Sequence, residues 1–269
     1  VSDVLDEVRE FRTAAASHAR SQPRALPDLP SGTFEVVDTT PGAPVPQLRV
    51  YHPAVGPDVP GVFVNLHGGG FVLGGWQDDD PYCRFLADAS GCAVVNVDYP
   101  LAPEDAFPAA LHQTYDVLGW IADHGRLLGV DGARLAVGGH SAGGNLAAAS
   151  ALLARRHGRP LLRGVVVDHA PLDLATSPAD ELASPVRAQD LGGLPPTLVI
   201  TAEHDLLRAE GDRYAARLSA AGVDTEHVVF PGCGHGFTHV GPEEQATAAW
   251  LRMATFLRRV LGEPEGAWA

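Results

Sequence analysis

Six short apolar runs govern what this 269-residue chain can fold into. They are GVFVNL (61–66), CAVVNV (92–97), RLAVGG (134–139), LRGVVVD (162–168), PTLVIT (196–201) and EHVVFP (226–231). A strand with one wet face alternates apolar with polar; a run that is apolar throughout belongs to a sheet buried on both sides. Between the runs lie stretches with helical spacing, near 80–90, 106–124, 142–157 and 207–221, with a last one at 242–262. Strand and helix in alternation predict an α/β fold whose mostly parallel sheet is covered on both faces. Ahead of them, TFEVVD (33–38) and QLRVYH (47–52) alternate across TTPGAPVP and read as an antiparallel hairpin, giving eight strands. Residues 3–20 predict an amphipathic helix with Val4, Val8, Phe11 and Ala15 on one face, ended by SQPRALPDLPSG.

Composition narrows the function. With 45% hydrophobic residues the chain can bury a sizeable core, and no repeat or linker interrupts it, so a single domain over 1–269 is expected. The net charge is −14 and the basic residues are all arginine. An acidic chain without a basic run makes a poor partner for nucleic acid or an anionic membrane. Without lysine there is no phosphate-binding P-loop and no Schiff-base chemistry. No apolar run approaches the ~20 residues of a membrane span. The opening VSDVLDEVREF is acidic and amphipathic, unlike a signal peptide. Cys83, Cys92 and Cys233 match no zinc spacing and predict free thiols in a reducing compartment, the cytoplasm.

In a doubly covered parallel sheet, function gathers at the carboxyl ends of the strands. The fifth strand ends in Gly139-His140-Ser141-Ala142-Gly143, a G-x-S-x-G pentapeptide between strand and helix. A reversal that tight forces the serine into an unusual backbone conformation and lifts its hydroxyl out at a helix N-terminus, where developing negative charge is favoured. The third strand ends in His67-Gly68-Gly69-Gly70-Phe71. Bare glycine N–H groups there can approach a substrate oxygen, as an oxyanion hole requires. A dinucleotide loop fails, because the G-x-G-x-x-G count from Gly68 ends on Leu73, and GGFVLGGWQDDD reads as loop as far as Pro81. Gly68, Gly69, Gly70 and the N–H of Ala142 are the candidate oxyanion donors, while His67 is expected to fix the loop through its side chain.

A serine nucleophile needs an acid and a base downstream. TAEHDLLRAEGDRY, after the seventh strand, offers Glu203 and Asp205; PGCGHGF, after the eighth, offers His235. Asp205 is preferred because it starts the loop and is followed by two leucines that can anchor it. His235 is preferred over His204 and His239, the nearest helix to His239 being expected only after Pro242. Phe71, Trp76, His140, His169, Tyr99 and Leu206 are candidate pocket walls, although Tyr99, with Glu104, is more simply explained by support of the oxyanion loop.

These segments resemble a known family, the hormone-sensitive lipase-like (bacterial family IV) esterases of the α/β-hydrolase superfamily. HGGGF, VDYPLAPEDAFPAAL, GGHSAGGNLA, SPVRAQDLGGLPPTLVITAEHDLLRAEGDRYAARLSAAGV and HGF occur in the family's order across roughly residues 45 to 260. The resemblance implies hydrolysis of carboxylic esters of small molecules through an acyl-serine. It implies Ser141, Asp205 and His235 as triad, no cofactor or metal, and a possible homodimer. Two departures stand out. His140 replaces the aspartate or threonine common before the serine, and GHSAG also resembles the elbow of kynurenine formamidases. The cap is short: a remnant over 1–30 and an insertion reduced to 169–190. A more open pocket for short to medium acyl chains is expected. An aryl formamidase, and a non-hydrolytic biosynthetic enzyme or receptor on the same scaffold, are the competing readings.

Overall fold

The computed structural model describes residues 2–21, 34–37, 46, 48–174 and 181–262. Its elements in chain order are α1 (Ser2–Ser21), β1 (Phe34–Val37), β2 (Leu48–Tyr51), β3 (Gly61–Leu66), α2 (Trp76–Ser90), β4 (Ala93–Val97), α3 (Ala109–His124), β5 (Asp131–His140), α4 (Ala142–His157), β6 (Leu162–Asp168), β7 (Thr197–Ala202), α5 (Arg208–Ala220), β8 (Thr225–Phe230), α6 (Phe237–Val240) and α7 (Glu243–Leu261). The strands form one sheet in the order β1-β2-β4-β3-β5-β6-β7-β8. β2 runs antiparallel to β1 and β4, and every other neighbouring pair is parallel.

The continuous apolar runs are explained by burial on both faces. Val62, Val64 and Leu66 of β3 join Val137 of β5 and Val165 and Val167 of β6 in a core roofed by α3, α4 and α5. The alternate residues Phe63, Ala136, Val166 and Leu198 point into a second core under α2 and α7. Each large side chain so enclosed contributes about 1.5–3 kcal/mol of hydrophobic stabilisation before entropy is counted.

The order reverses around β3. The chain leaves it through α2 to β4 on one side, and returns through α3 to β5 on the other. The loops after β3 and β5 therefore open side by side, a topological switch point. Their register is direct: Leu66 pairs with Gly139, and His140 pairs with Asp168 of β6.

Three expectations change. α2 begins at Trp76, so Pro81 lies inside a helix rather than at its start. Proline costs one backbone hydrogen bond there, but Asp78 and Asp79 in the first turn complement the positive helix end. α6 is a single turn ahead of Pro242, held by the bond from Trp250 Nε1 to the Thr238 carbonyl at 2.7 Å, and it carries His239. The apolar stripe of α1 is only partly covered, since Phe11 remains 58% exposed. Of the two expected cap segments, residues 22–30 and 175–180 lie outside the described residues. The described parts, 169–174 and 181–190, form turns and one 3₁₀ turn, Pro185–Arg187.

Candidate active site

β5 ends at His140 and α4 starts at Ala142, so Ser141 alone makes the turn. Its φ of 51° and ψ of −121° lie in a region that costs a non-glycine residue roughly 1–3 kcal/mol. The turn is held by the Ser141 N–H donating to the Asp168 carbonyl at 2.9 Å. The flanking glycines answer to close packing: a Cβ on Gly139 would sit 2.3 Å, and one on Gly143 1.9 Å, from the Leu66 carbonyl oxygen. The G-x-S-x-G spacing is thus what lets the elbow close onto the end of β3.

The loops after β7 and β8 bring Asp205 and His235 to this serine. Ser141 Oγ lies 3.1 Å from His235 Nε2, and His235 Nδ1 lies 2.8 Å from Asp205 Oδ2. The other oxygen, Asp205 Oδ1, accepts the Leu207 N–H at 2.9 Å, which fixes the carboxylate's direction. Asp205 is buried whereas the His235 side chain is 43% exposed, so the imidazole stands at the rim with its acid behind it. With the Nδ1 proton on the carboxylate side, the Nε2 lone pair faces the hydroxyl and can take its proton. The rival residues are engaged elsewhere. Glu203 accepts the Gly232 N–H at 2.7 Å, His204 lies exposed beside Glu203, and His239 faces Asp79 at 3.3 Å.

The glycine loop lies across the elbow. Gly69 and Gly70 have φ of 120° and 61°, and a Cβ on Gly69 would fall 2.1 Å from the Leu73 carbonyl oxygen, so no other residue fits there. Among the described residues, the N–H groups of Gly69, Gly70 and Ala142 have no acceptor. Gly68 departs from expectation. Its N–H donates to His140 Nε2 at 3.0 Å, which removes it from the set of donors open to a ligand. His67 supports the loop as expected: Nδ1 donates to the Gly68 carbonyl at 2.6 Å, and the ring stacks on Tyr99 at 4.1 Å. Tyr99 donates its hydroxyl to the His67 carbonyl at 2.7 Å.

A family model described as the alpha/beta hydrolase fold matches residues 63–182 and 169–239. Similarity extends over nearly the whole chain to the esterase LipI of Mycobacterium tuberculosis, 34% identical over 96% of this chain and 93% of that one. An arylesterase of Saccharolobus solfataricus is 36% identical over 71% of this chain and 72% of its own length. Among solved structures, a thermostable esterase from Pseudomonas putida superposes with a TM-score of 0.85 at 32% identity, covering 96% of this chain and 91% of that one. The chain belongs to the hormone-sensitive lipase-like esterases of the α/β-hydrolase family. The structure brings Ser141, His235 and Asp205 together beside the glycine loop.

In this hydrolase the pocket residues divide. Phe71 lines an apolar cavity of ≈ 270 Å³ together with Phe107, Leu111, Leu146, Leu174 and Leu182, between the oxyanion loop and the first turn of α4. The other five expected wall residues do not line it, Tyr99 being engaged under the glycine loop. Trp76 opens α2 under the Arg49 guanidinium, 3.9 Å from its ring centre; Leu206 is 98% exposed on the surface. His169 is buried edge-on behind His235, ring centres 4.8 Å apart. His140 turns away from the cavity toward Gly68 and Asp79. A larger cavity of ≈ 840 Å³ opens beside Gly61 and Asp131, at the opposite end of the strands from Ser141.

Sequence reasoning missed four residues that hold the site. Arg12 reaches from α1 to donate to the carbonyls of Val72 and Ala102 at 2.7 and 2.6 Å and to both Glu104 oxygens at 2.8 Å, clasping the oxyanion loop. Asn145, visible in the GGHSAGGN block, ties the start of α4 to the Pro171 and Ala183 carbonyls at 2.7 and 3.1 Å. Asp168 accepts the Thr238 hydroxyl at 2.9 Å. Asp79 is fully buried beneath the elbow, where it accepts from Asn65 Nδ2 at 2.7 Å.

Ligand atoms of Asp79, His140 and His239 lie within 4.8 Å of one another, close enough to suggest a metal set. The Gly68 bond opposes that reading. A neutral imidazole that accepts at Nε2 carries its proton on Nδ1, so the atom facing Asp79 has no lone pair to give. The cluster is tied by the hydrogen bonds of His239 to Asp79 and of Gly68 to His140, with His140 Nδ1 facing the carboxylate at 3.6 Å.

Burial, followed by the neighbouring His239, lowers the His140 imidazole well below its ordinary range, and Asp79, His169 and His67 also face it. Burial alone would raise the Asp79 carboxyl, but His140, His239 and Asn65 together hold it below the usual carboxylate range. The sign of the pH effect follows. Below about pH 6.5 an unfolded chain protonates this histidine while the folded one does not, so stability falls as pH drops from there. Asp79 adds a loss only below about pH 4, where its unfolded form is protonated. The urea midpoint is expected to fall between pH 7 and pH 5 in the native chain and to be flatter in His140→Gln. Equal slopes for the two proteins would contradict this assignment.

Proposed function

We propose that this carboxylic ester hydrolase acts through an acyl-enzyme on Ser141, with His235 as general base and acid and Asp205 as its orienting carboxylate. The observation that carries the reading is the unbroken chain from Ser141 Oγ to His235 at 3.1 Å and from His235 to Asp205 at 2.8 Å, beside unengaged N–H groups. Ser141 Oγ attacks the ester carbonyl carbon while its proton passes to His235 Nε2. The negative charge that collects on the carbonyl oxygen is met by the N–H groups of Gly69, Gly70 and Ala142, each such donor being worth about 3–4 kcal/mol in the transition state. The imidazolium gives its proton to the departing alkoxide, releasing the alcohol. Water, deprotonated by the same nitrogen, then attacks the acyl carbon, and the acid leaves with Ser141 Oγ reprotonated.

The substrates are esters of short to medium acyl chains, in keeping with the small cap over 169–190. The apolar cavity of ≈ 270 Å³ beside Phe71 supports this range. The arylesterase relative of Saccharolobus solfataricus supports activated phenyl esters as assay substrates. Across p-nitrophenyl esters from acetate to palmitate, kcat/KM is expected to peak between butyrate and octanoate. A steady rise to palmitate would overturn the acyl range. No observation favours the formamidase reading, since its signature residue, His140, is bonded to Gly68. The three buried free thiols support a reducing compartment, the cytoplasm, and among the described residues no helix is long and apolar enough to cross a membrane. Pairing of two copies is carried by family resemblance alone, and sedimentation velocity reads it directly.

A further inference from the structure

The two backbone segments that must meet one developing oxyanion are joined by a single side chain. His140 directly precedes Ser141, and its Nε2 accepts the Gly68 N–H at 3.0 Å. The fit is close. A Cβ on Gly68 would lie 2.5 Å from Nε2 and 2.7 Å from Cδ2, so the ring occupies the space a side chain at 68 would need. Acceptance at Nε2 requires the proton on Nδ1, and Nδ1 faces Asp79 Oδ2 at 3.6 Å. Asp79 is itself fixed by Asn65 at 2.7 Å and by His239, whose Nε2 lies 3.3 Å from Oδ1. The His239 ring covers His140 at 4.0 Å, and Tyr82 and Trp250 pack on His239 from outside. Only 15% of the His140 side chain is exposed. The imidazole is thus gripped on three sides and offers its one lone pair to the glycine loop.

We propose that His140 is a positioning residue for ester hydrolysis: as the Nδ1–H tautomer, with that proton turned toward the Asp79 carboxylate, it accepts the Gly68 N–H and so sets the pitch at which Gly69 and Gly70 present their N–H groups to the oxyanion. The inference rests on the acyl-serine reading. A loop pinned at Gly68 reaches the transition state already aimed, whereas an unpinned loop must order itself at that moment, which loses part of the preorganised electrostatic stabilisation. The ester in its ground state makes little use of these donors, so the effect belongs in kcat rather than KM.

The test uses two substitutions and one measurement on the unaltered protein. His140→Leu fills the space without an acceptor; His140→Gln carries an amide oxygen at about the reach of Nε2. With p-nitrophenyl butyrate, His140→Leu is expected to lower kcat roughly 10- to 100-fold, below the ~10²–10³ lost with an oxyanion donor. KM should stay within about threefold of native, and affinity for phenylboronic acid, which mimics the tetrahedral intermediate, should fall by the same factor as kcat. His140→Gln is expected to recover most of both. A kcat within threefold of native in His140→Leu, or equal losses in the Leu and Gln variants, would overturn the proposal. Should neither variant fold, ¹⁵N–¹H long-range correlation spectra of the histidine-labelled native protein decide it. The proton on Nδ1 of residue 140 supports the proposal, and a proton on Nε2 overturns it. Ser141→Ala separates the two readings: turnover that survives it would remove the acyl-serine mechanism and this inference together. An inactive Ser141→Ala beside a fully active His140→Leu would remove only the role of His140.

Discussion

Ser141→Ala is expected to lower kcat/KM for a short aryl ester by about 10⁵–10⁶-fold while leaving the fold in place. The size follows from the loss of the only atom that can form the acyl-enzyme; without it, His235 can at best activate water. Oxyanion donors and substrate binding survive, so a residual acceleration of roughly 10³–10⁴ over the uncatalysed reaction should remain. The fold should tolerate the change. Among the described residues the Ser141 hydroxyl bonds only to the half-exposed His235, and the backbone that makes the turn is held by its own N–H on Asp168 and by Gly139 and Gly143 against Leu66. Unfolding free energy should stay within about 1 kcal/mol. Turnover within tenfold of native, in a preparation free of contaminating esterase, would contradict the assignment of the nucleophile.

Asp205→Asn is expected to cost about 10⁴-fold in kcat through the proton it misplaces. Asp205 Oδ1 accepts the Leu207 N–H at 2.9 Å and Oδ2 receives His235 Nδ1 at 2.8 Å. An asparagine would keep its oxygen on the Leu207 N–H and turn its amide hydrogens toward Nδ1. The imidazole would then accept at Nδ1, place its proton on Nε2, and have no lone pair left for Ser141. Glu203→Gln is the matched control. Its carboxylate serves the Gly232 N–H, where an amide oxygen serves equally well, and kcat should change less than about threefold. The reverse order of effects would make Glu203 the acid and refute the pairing. Parallel kcat measurements on the two variants decide it.

The sheet, and the three side chains that meet at the end of it, are legible in the sequence because both obey local rules. β3 and β6 run as the apolar stretches 61–66 and 162–168 indicate, since residues buried on both faces must be apolar throughout. α4 starts right after the serine, as a G-x-S-x-G between strand and helix requires. Asp205 and His235 stand at strand ends, where a parallel sheet gathers its chemistry. What escaped depends on contacts between distant segments. Nothing near Arg12 announces that it will grip Glu104, 92 residues later. The aspartates before Pro81 look like a solvated loop, yet they begin a helix and one of them is fully buried. A glycine run displays N–H groups without saying where each one points, so the sequence alone puts Gly68 among the oxyanion donors. Only the approach of His140 across the sheet shows that the first of the three is already bonded. Leu206 followed the same pattern in reverse: an apolar residue in a functional loop suggested a pocket wall, and it faces solvent.

In the proposed mechanism one serine, on the turn between β5 and α4, carries the acyl group. Intact-mass and peptide mass spectrometry after exposure to a fluorophosphonate tests it most directly, because a stable phosphonyl ester forms only on a nucleophile with a working base and oxyanion hole. A single adduct per chain, located on Ser141 and lost in Ser141→Ala together with turnover, is the expected result. An enzyme that hydrolyses esters while Ser141 stays unmodified, or an adduct on another residue, would contradict it.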